Sequence, residues 1–142
     1  MILFRGTPEP ERHPKPREYA AVFFTPQKQY AATYGPWVQT YEVGKQRILD
    51  SASPEAFELV RRFTSTGSDF DQDPIKEEVE ELFFHPTTKL VRFLSKYGYT
   101  GTDVGGNIGL WDLRKVRLIA SEQYEEIPDG SCRYRKVPKR KV

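Results

Sequence analysis

Two short stretches contain the residues whose types and spacing could bind a charged ligand. Arg5-Gly6-Thr7 ends the first apolar segment, and VFFTPQKQYAATYGP follows at residues 22–36. A guanidinium is planar and always charged, so Arg5 suits the forked donation that phosphate or ribose hydroxyl groups accept. Gly6 lets the backbone approach a ligand closely. In the second stretch, Tyr30 and Tyr34 lie one helical turn apart, and a tyrosine ring can stack on a flat cationic ring.

The second stretch is predicted to form a strand, a turn and a short helix. Thr25 is a favourable N-cap, and Pro26 suits the first helical position because the N–H that it lacks has no partner there anyway. Gly35-Pro36 ends the helix. The spacing of Tyr30 and Tyr34 is also typical of a core-facing helix side. The sequence therefore leaves two roles open for them, which are core packing and an aromatic wall for a ligand ring.

Strands are predicted before and after a group of helices. The early strands are residues 2–5, 18–24, 37–43 and 46–50, and the late ones lie in 98–104, 107–113 and 114–120. Helices are predicted from Ser53-Pro54 to Phe63, from Asp73-Pro74 to Phe84, and from Thr87 or Thr88 to Tyr97. This order predicts an α+β fold with a split, mostly antiparallel sheet and inserted helices. We expect one domain over residues 1–130 and a basic tail over 131–142.

Composition argues against several classes of site. Cys132 is the sole cysteine, and His13 and His85 lie far apart beside prolines, so we expect neither a disulfide framework nor a bound metal. No apolar run reaches the roughly 18–20 residues that span a bilayer, and no signal-peptide pattern precedes the first strand. We therefore expect a cytoplasmic protein without membrane contact. The glycine-rich phosphate loops GxGxxG and GxxxxGK[ST] are absent from the sequence.

Positive charge is concentrated at the end of the chain. The last twelve residues hold six Lys/Arg and no acid, which leaves 16 basic and 20 acidic residues in the remainder. Such a tail is typical of a solvated, frayed terminus. It could also dock on nucleic acid or on an acidic protein surface, so nucleic-acid binding through residues 133–142 stays open. The acidic stretch 69–81, with seven Asp/Glu, is predicted to be the solvated face of the second inserted helix.

The order of these motifs resembles the NAD-binding core of mono-ADP-ribosyltransferases. Toxins of the diphtheria type and compact phage and bacterial relatives, including anti-CRISPR-type proteins, begin with a strand that ends in His or Arg before Gly-Thr or Gly-Ser. An aromatic strand, a Ser/Thr turn and an A-x-x-Y helix follow, as in Phe23, Thr25 and Ala31-x-x-Tyr34. GYTG (98–101) and IGLWDLRKVRLI (108–119) resemble the closing strand pair of that family. The resemblance covers most of the chain except the inserted helices and the tail.

The resemblance implies roles for individual residues. It implies NAD binding, with NAD as substrate and no metal, by Arg5, Gly6, Thr7, Phe23, Thr25, Tyr30 and Tyr34. Arg5 and Tyr34 are also implied in catalysis. The family usually places a glutamate where this sequence has Asn107, to stabilise the oxocarbenium-like transition state. Asp103 is the first candidate to supply that carboxylate. Glu125, in Gln123-Tyr124-Glu125, is the second.

The function implied is cleavage of the nicotinamide–ribose bond and transfer of ADP-ribose to a macromolecule, foremost a protein. The compact size suggests a phage or bacterial effector that acts on host defence in the bacterial cytoplasm. Because Asn107 is uncharged, a catalytically silent protein of the same fold, which binds a protein or nucleic acid, is the alternative. A third interpretation is an interaction protein with a basic tail and no nucleotide chemistry. Only the tail and the acidic helix support it.

Overall fold

A computed structural model describes residues 1–138 and shows an α+β fold within that range. Four helices and eight strands form two four-stranded, mostly antiparallel sheets, which confirms the predicted fold class. The strands are β1 (Ile2–Thr7), β2 (Val22–Phe24), β3 (Trp37–Val43), β4 (Ile48–Asp50), β5 (Gly101–Val104), β6 (Asn107–Leu110), β7 (Val116–Glu126) and β8 (Tyr134–Lys136). The helices are α1 (Lys28–Ala32), α2 (Pro54–Thr64), α3 (Lys76–Phe84) and α4 (Thr88–Ser95).

The chain divides into two compact units. Unit 1 consists of Met1–Pro14, Phe24–Lys45 and the chain from Arg114 onwards. Unit 2 consists of Lys15–Phe23 and Gln46–Leu113, which include the inserted helices. The single domain expected over residues 1–130 stays a prediction. Each unit is described by itself below.

Unit 1 is built on a sheet in the order β1-β3-β7-β8, with antiparallel neighbours throughout. The register of β1 on β3 pairs Arg5 with Gln39 and Thr7 with Trp37. Directly paired residues project from the same face of a sheet, so the polar side chains of β1 and β3 form one row. β7 runs well past the predicted end at residue 120 and pairs with β8. Part of the predicted tail is therefore a strand.

Helix α1 is shorter than the sequence predicted, and its N-cap is Gln27 rather than Thr25. The reason lies in the backbone of Thr25. Its N–H donates to Phe4 O at 2.8 Å and its carbonyl accepts from Phe4 N at 2.7 Å, so Thr25 continues the sheet beside β1. The Thr25 hydroxyl still accepts a bond from Gln27 N at 3.3 Å. The carbonyl of an N-cap residue accepts the first intrahelical bond, and that of Thr25 is bonded to Phe4 N instead, so α1 begins two residues later.

Two glycines let α1 and the segment after it lie directly on β1. A Cβ placed on Gly6 would come within 1.8 Å of the Ala31 carbonyl oxygen. A Cβ on Gly35 would come within 2.4 Å of the Thr7 backbone. Both distances are far below contact distance, so only glycine fits at either position. Ala31 and Ala32 face this contact and are buried with Val38, while Phe4, Tyr124 and Tyr134 pack around them.

Unit 2 carries the larger apolar core. Its sheet has the order β2-β6-β5-β4, with β4 and β5 parallel and β5 and β6 joined as an antiparallel hairpin. Helices α2, α3 and α4 bury one apolar stripe each against this sheet and against one another. The buried residues of this core are Leu49, Ala56, Leu59, Val60, Val79, Phe83, Leu90, Leu94, Tyr99 and Val104.

The predicted helix starts in unit 2 were right in two cases of three. Ser53 caps α2 by accepting a bond from Ala56 N at 3.2 Å, and Thr87 caps α4 through Leu90 N at 3.1 Å. The prediction for Asp73-Pro74 was wrong, because α3 begins at Lys76 with Ile75 as an N-cap that makes no side-chain bond. The predicted strand 18–24 is confined to β2, since residues before Val22 form bends rather than a ladder.

In residues 1–138, no helix is long and apolar enough to cross a membrane. Over the same range, no three His, Cys, Asp or Glu residues converge in a way that could hold a metal ion.

We predict that Gly6→Ala destabilises unit 1 strongly. The added methyl group would overlap the Ala31 carbonyl, and the backbone of both elements would have to separate. We expect a loss of about 3 kcal/mol in the free energy of unfolding, measured by urea denaturation. Gly44→Ala is the control, because its Cβ would only press on the Lys115 side chain at 3.0 Å. Equal losses for the two variants would contradict the close packing of α1 on β1.

Candidate functional site

The structure divides the predicted site residues between the two units. Unit 1 holds Arg5, Gly6, Thr7, Thr25, Tyr30 and Tyr34. Unit 2 holds Phe23, Asp103 and Asn107. Within unit 1, the two sequence motifs are in direct contact, since Gly6 lies on Ala31 and Gly35 lies on Thr7.

Arg5 is held by a carboxylate from the segment that follows β1. Its Nε donates to Glu11 Oε1 at 2.7 Å, and its Nη2 donates to Glu11 Oε2 at 3.3 Å. The Tyr41 hydroxyl donates to the Glu11 backbone oxygen at 2.9 Å and lies 3.2 Å from Glu11 Oε1. Burial, followed by the Glu11 charge, raises the pKa of Tyr41 well above its usual range, so the phenol stays protonated. One edge of the Arg5 fork therefore binds a carboxylate of the chain itself.

Thr7 and Gln39 form a second polar pair on the same face of the sheet. Gln39 Nε2 donates to Thr7 Oγ1 at 2.7 Å, and Thr7 Oγ1 donates to the Glu9 backbone oxygen. Gln39 is fully buried, and its Oε1 has no hydrogen-bond partner among the described residues. A buried acceptor without a donor is uncommon in native proteins.

Tyr30 in α1 and Tyr34 just after it are both exposed, so core packing, one of the two roles that the sequence left open, is wrong, and the role as an aromatic wall for a ligand stays a prediction. Tyr30 is 40% exposed and Tyr34 is 62% exposed, whereas Ala31 and Ala32 face the sheet. Their rings are nearly perpendicular, with centroids 5.3 Å apart, and their hydroxyl groups are 2.8 Å apart. The pair is therefore a surface feature, in which one ring supports the other by an edge contact.

Thr25 and Phe23 have packing roles in their own units. Thr25 is almost fully buried and joins β1 to α1 through its two backbone bonds with Phe4. Phe23 packs on Gly109, where an added Cβ would come within 2.9 Å of the phenylalanine ring. Both residues thus hold the backbone near the predicted motifs, and their predicted contacts with NAD stay predictions.

Asp103 and Asn107 flank the tight turn between β5 and β6. The Asp103 carboxylate accepts a bond from Gly106 N at 2.9 Å, and Asn107 Nδ2 donates to Val104 O at 3.2 Å. Gly105 and Gly106 have φ of 57° and 94°, which a two-residue hairpin turn of this kind requires. Both side chains therefore stabilise the hairpin.

Glu125 and the described part of the tail form ion pairs across β7 and β8. Arg135 Nε donates to Glu125 Oε1 at 2.8 Å, and Lys136 Nζ lies 2.7 Å from Glu122 Oε2. Arg133 lies 3.7 Å from Asp129. The three tail cations among the described residues thus all have acidic partners in the chain. The remaining basic residues of the predicted docking arm, from 139 onwards, lie outside the described residues.

Three polar residues next to Arg5 were missed by the sequence analysis. Glu11 lies in a proline-rich segment whose residue types do not indicate a contact with Arg5. Gln39 and Tyr41 alternate along the predicted strand 37–43, but nothing in that pattern connects them with Arg5. A polar residue on the inward face of an apolar strand was the available signal, as Gln39 shows.

Comparison with known proteins gives little further information. Neither a protein-family model nor a curated protein sequence matches this chain. The crystal structure of an anti-CRISPR protein is similar to it with a TM-score of 0.44 and 16% sequence identity. That similarity covers 83% of this chain and 93% of the other.

We predict that Tyr30→Phe lowers the pKa of Tyr34. The hydrogen bond with the Tyr30 hydroxyl, followed by burial, raises the pKa of Tyr34 to about 12. Without that hydroxyl, the pKa should fall toward the ordinary value of about 10. Because the folded-state pKa is raised, this contribution to stability is present below about pH 10 and is lost as pH rises through about 12.

NMR of ring-labelled tyrosine measures the titration directly. Tyr97→Phe is the control, since Tyr97 lies in unit 2 and has the same exposed character. A Tyr34 pKa that stays near 12 in Tyr30→Phe would show that the hydroxyl pair does not cause the shift.

Proposed function

We propose that this protein is an NAD-dependent mono-ADP-ribosyltransferase. It would cleave the nicotinamide–ribose bond and transfer ADP-ribose to a macromolecular acceptor, a protein. The observation that supports the proposal most is the packing of the two motifs in unit 1. Arg5-Gly6-Thr7 and the α1 segment are about 25 residues apart in sequence, yet Gly6 and Gly35 bring their backbones into direct contact.

The chemistry of these residues suits the two ends of the substrate. Arg5 carries a guanidinium that can bind a phosphate of the pyrophosphate. Tyr34 offers an exposed ring face, supported by Tyr30, on which the cationic nicotinamide can stack with a gain of about 0.5–2 kcal/mol. The Ala31 carbonyl covers the side of Gly6 on which a side chain would project. A ligand would therefore meet Gly6 through its backbone N–H or carbonyl group.

The reaction needs positioning and charge stabilisation more than a reactive group from the protein. The C1′–N bond breaks with its electron pair going to nicotinamide, which leaves as a neutral molecule, and positive charge develops on the ribose. A carboxylate stabilises that charge, and the sequence resemblance gives this role to Asp103, with Asn107 as a neutral hydrogen-bonding residue. The acceptor then forms its bond to C1′ and loses a proton.

The wider setting is part of the same proposal. A chain of 142 residues that carries this chemistry suits a phage or bacterial effector that modifies a host defence protein in the bacterial cytoplasm. No resident metal or second cofactor takes part in the proposed reaction.

A catalytically silent protein is the second candidate, and specific contacts favour it. Glu11 occupies two nitrogen atoms of the Arg5 guanidinium, and Asp103 and Asn107 both hold the β5–β6 turn. Such a protein would use the same surface to bind a protein partner without turnover. The two candidates differ in one measurable product, which is free nicotinamide.

The deciding experiment is nicotinamide release from NAD, with and without bacterial lysate as a source of acceptor. We expect Arg5→Ala to lower the rate at least about 100-fold, because the guanidinium that binds a phosphate of the substrate and positions its reacting bond is lost. Asp103→Asn should lower it to a similar degree while its amide oxygen still accepts the Gly106 N–H bond. Arg117→Ala, an exposed arginine of the same sheet as Arg5, is the matched control and should keep the rate.

Two results would count against the enzyme. Release that is absent under every condition would leave the silent protein as the better proposal. Release that is unchanged in Arg5→Ala would show that the chemistry occurs elsewhere in the chain.

A further inference from the structure

Glu11 occupies the position that a bound anion would take. Its two carboxylate oxygens face the Nε and Nη2 edge of Arg5, and the Tyr41 hydroxyl lies 3.2 Å from Oε1. Forked guanidinium donation with a nearby hydroxyl is also the arrangement by which proteins bind a phosphate. The Glu11 side chain is largely buried, with 12% of it exposed, so this is not a loose surface pair.

Gln39, an uncharged residue beside Arg5, has a buried oxygen without a hydrogen-bond donor among the described residues. The register places it directly opposite Arg5, so both side chains leave the same face of the sheet. Gln39 is 0% exposed, and its Oε1 has no donor among residues 1–138. An acceptor left unpaired in the interior is costly unless a ligand supplies the donor. A hydroxyl group next to a bound phosphate would supply it.

We infer that Arg5, Tyr41 and Gln39 form a binding site for a ribosyl phosphate, which Glu11 fills in the free protein. The phosphate takes the place of the Glu11 carboxylate on Arg5 and Tyr41. A hydroxyl of the adjacent ribose donates to Gln39 Oε1. This inference rests on the proposed function and deepens it, because it names the part of the substrate that these residues bind.

The segment that carries Glu11 is suited to leave as a unit. Residues 8–14 contain three prolines, which donate no backbone N–H, and the stretch contacts β1 and β3 through the bonds from Thr7 Oγ1 to Glu9 O and from the Tyr41 hydroxyl to Glu11 O. A ligand that must displace Glu11 binds with an affinity reduced by the fraction of molecules in which the site is open. Removing the negative charge of Glu11 should therefore strengthen binding.

The test is calorimetric titration of the full chain with ADP-ribose and, separately, with inorganic pyrophosphate. We expect Glu11→Gln to bind both probes about tenfold more tightly than the wild type. Glu11→Asp, whose shorter side chain cannot reach the same position, should also bind them more tightly. Gln39→Met should weaken binding of ADP-ribose about fivefold and leave pyrophosphate unchanged, because only ADP-ribose carries the ribose hydroxyl.

Glu42→Gln is the matched control, because Glu42 also pairs with an arginine, Arg117, across the same sheet and loses the same charge. Thermal unfolding of each variant confirms that it is folded. If Glu11→Gln and Glu11→Asp bind both probes no better than the wild type, Glu11 only fastens its segment to the sheet and the inference is overturned. An equal gain in Glu42→Gln would overturn it too, because the gain would then be a general charge effect.

The outcome also separates this inference from the proposed function. Tighter binding of ADP-ribose by Glu11→Gln, with no nicotinamide release by any variant, would support the binding site and overturn the proposed transferase activity. Nicotinamide release that needs Arg5, with no effect of the Glu11 substitutions on binding, would support the transferase activity and overturn the inference about Glu11.

Discussion

The contact of Gly6 with the Ala31 carbonyl is the constraint on which the rest of unit 1 depends. Because neither Gly6 nor Gly35 has a side chain, α1 can lie directly on the backbone of an edge strand. The helix is only five residues long and could not persist alone in water. It persists because Ala31 and Ala32 are buried on the sheet, and this orientation turns Tyr30 and Tyr34 outward.

The opposite face of the same sheet carries polar side chains next to buried apolar ones such as Leu3. Arg5 and Tyr41 both donate hydrogen bonds to Glu11. The Arg5–Glu11 ion pair has to be well bonded because removing its charges from water is costly. A purely structural face would be cheaper to fill with aliphatic residues. A guanidinium, a phenol and an amide oxygen without a hydrogen-bond partner among residues 1–138 lie on this one face of unit 1.

Unit 2 has a different physical character. Its three helices close a core of ten buried residues, and its acidic side chains lie outside that core. The side chains of Asp103 and Asn107 are engaged in the hairpin turn, where glycine supplies the positive φ. In the described part of the tail, Arg135 and Lys136 form ion pairs with carboxylates on β7 of unit 1. A basic segment of sequence is thus partly a paired edge strand.

The sequence by itself determined the fold class, the strand periodicity and two helix caps, because these depend on neighbours a few residues away. It also identified Arg5 and the tyrosines as residues with binding chemistry. Only the tertiary structure decided that Tyr30 and Tyr34 are exposed and that the backbone of Thr25 is hydrogen-bonded to β1. It also decided that Glu11 forms an ion pair with Arg5. These facts depend on which segments pack together across the chain. Local propensity and spacing do not encode such contacts, since the same i, i+4 tyrosines serve a buried or an exposed helix face equally well.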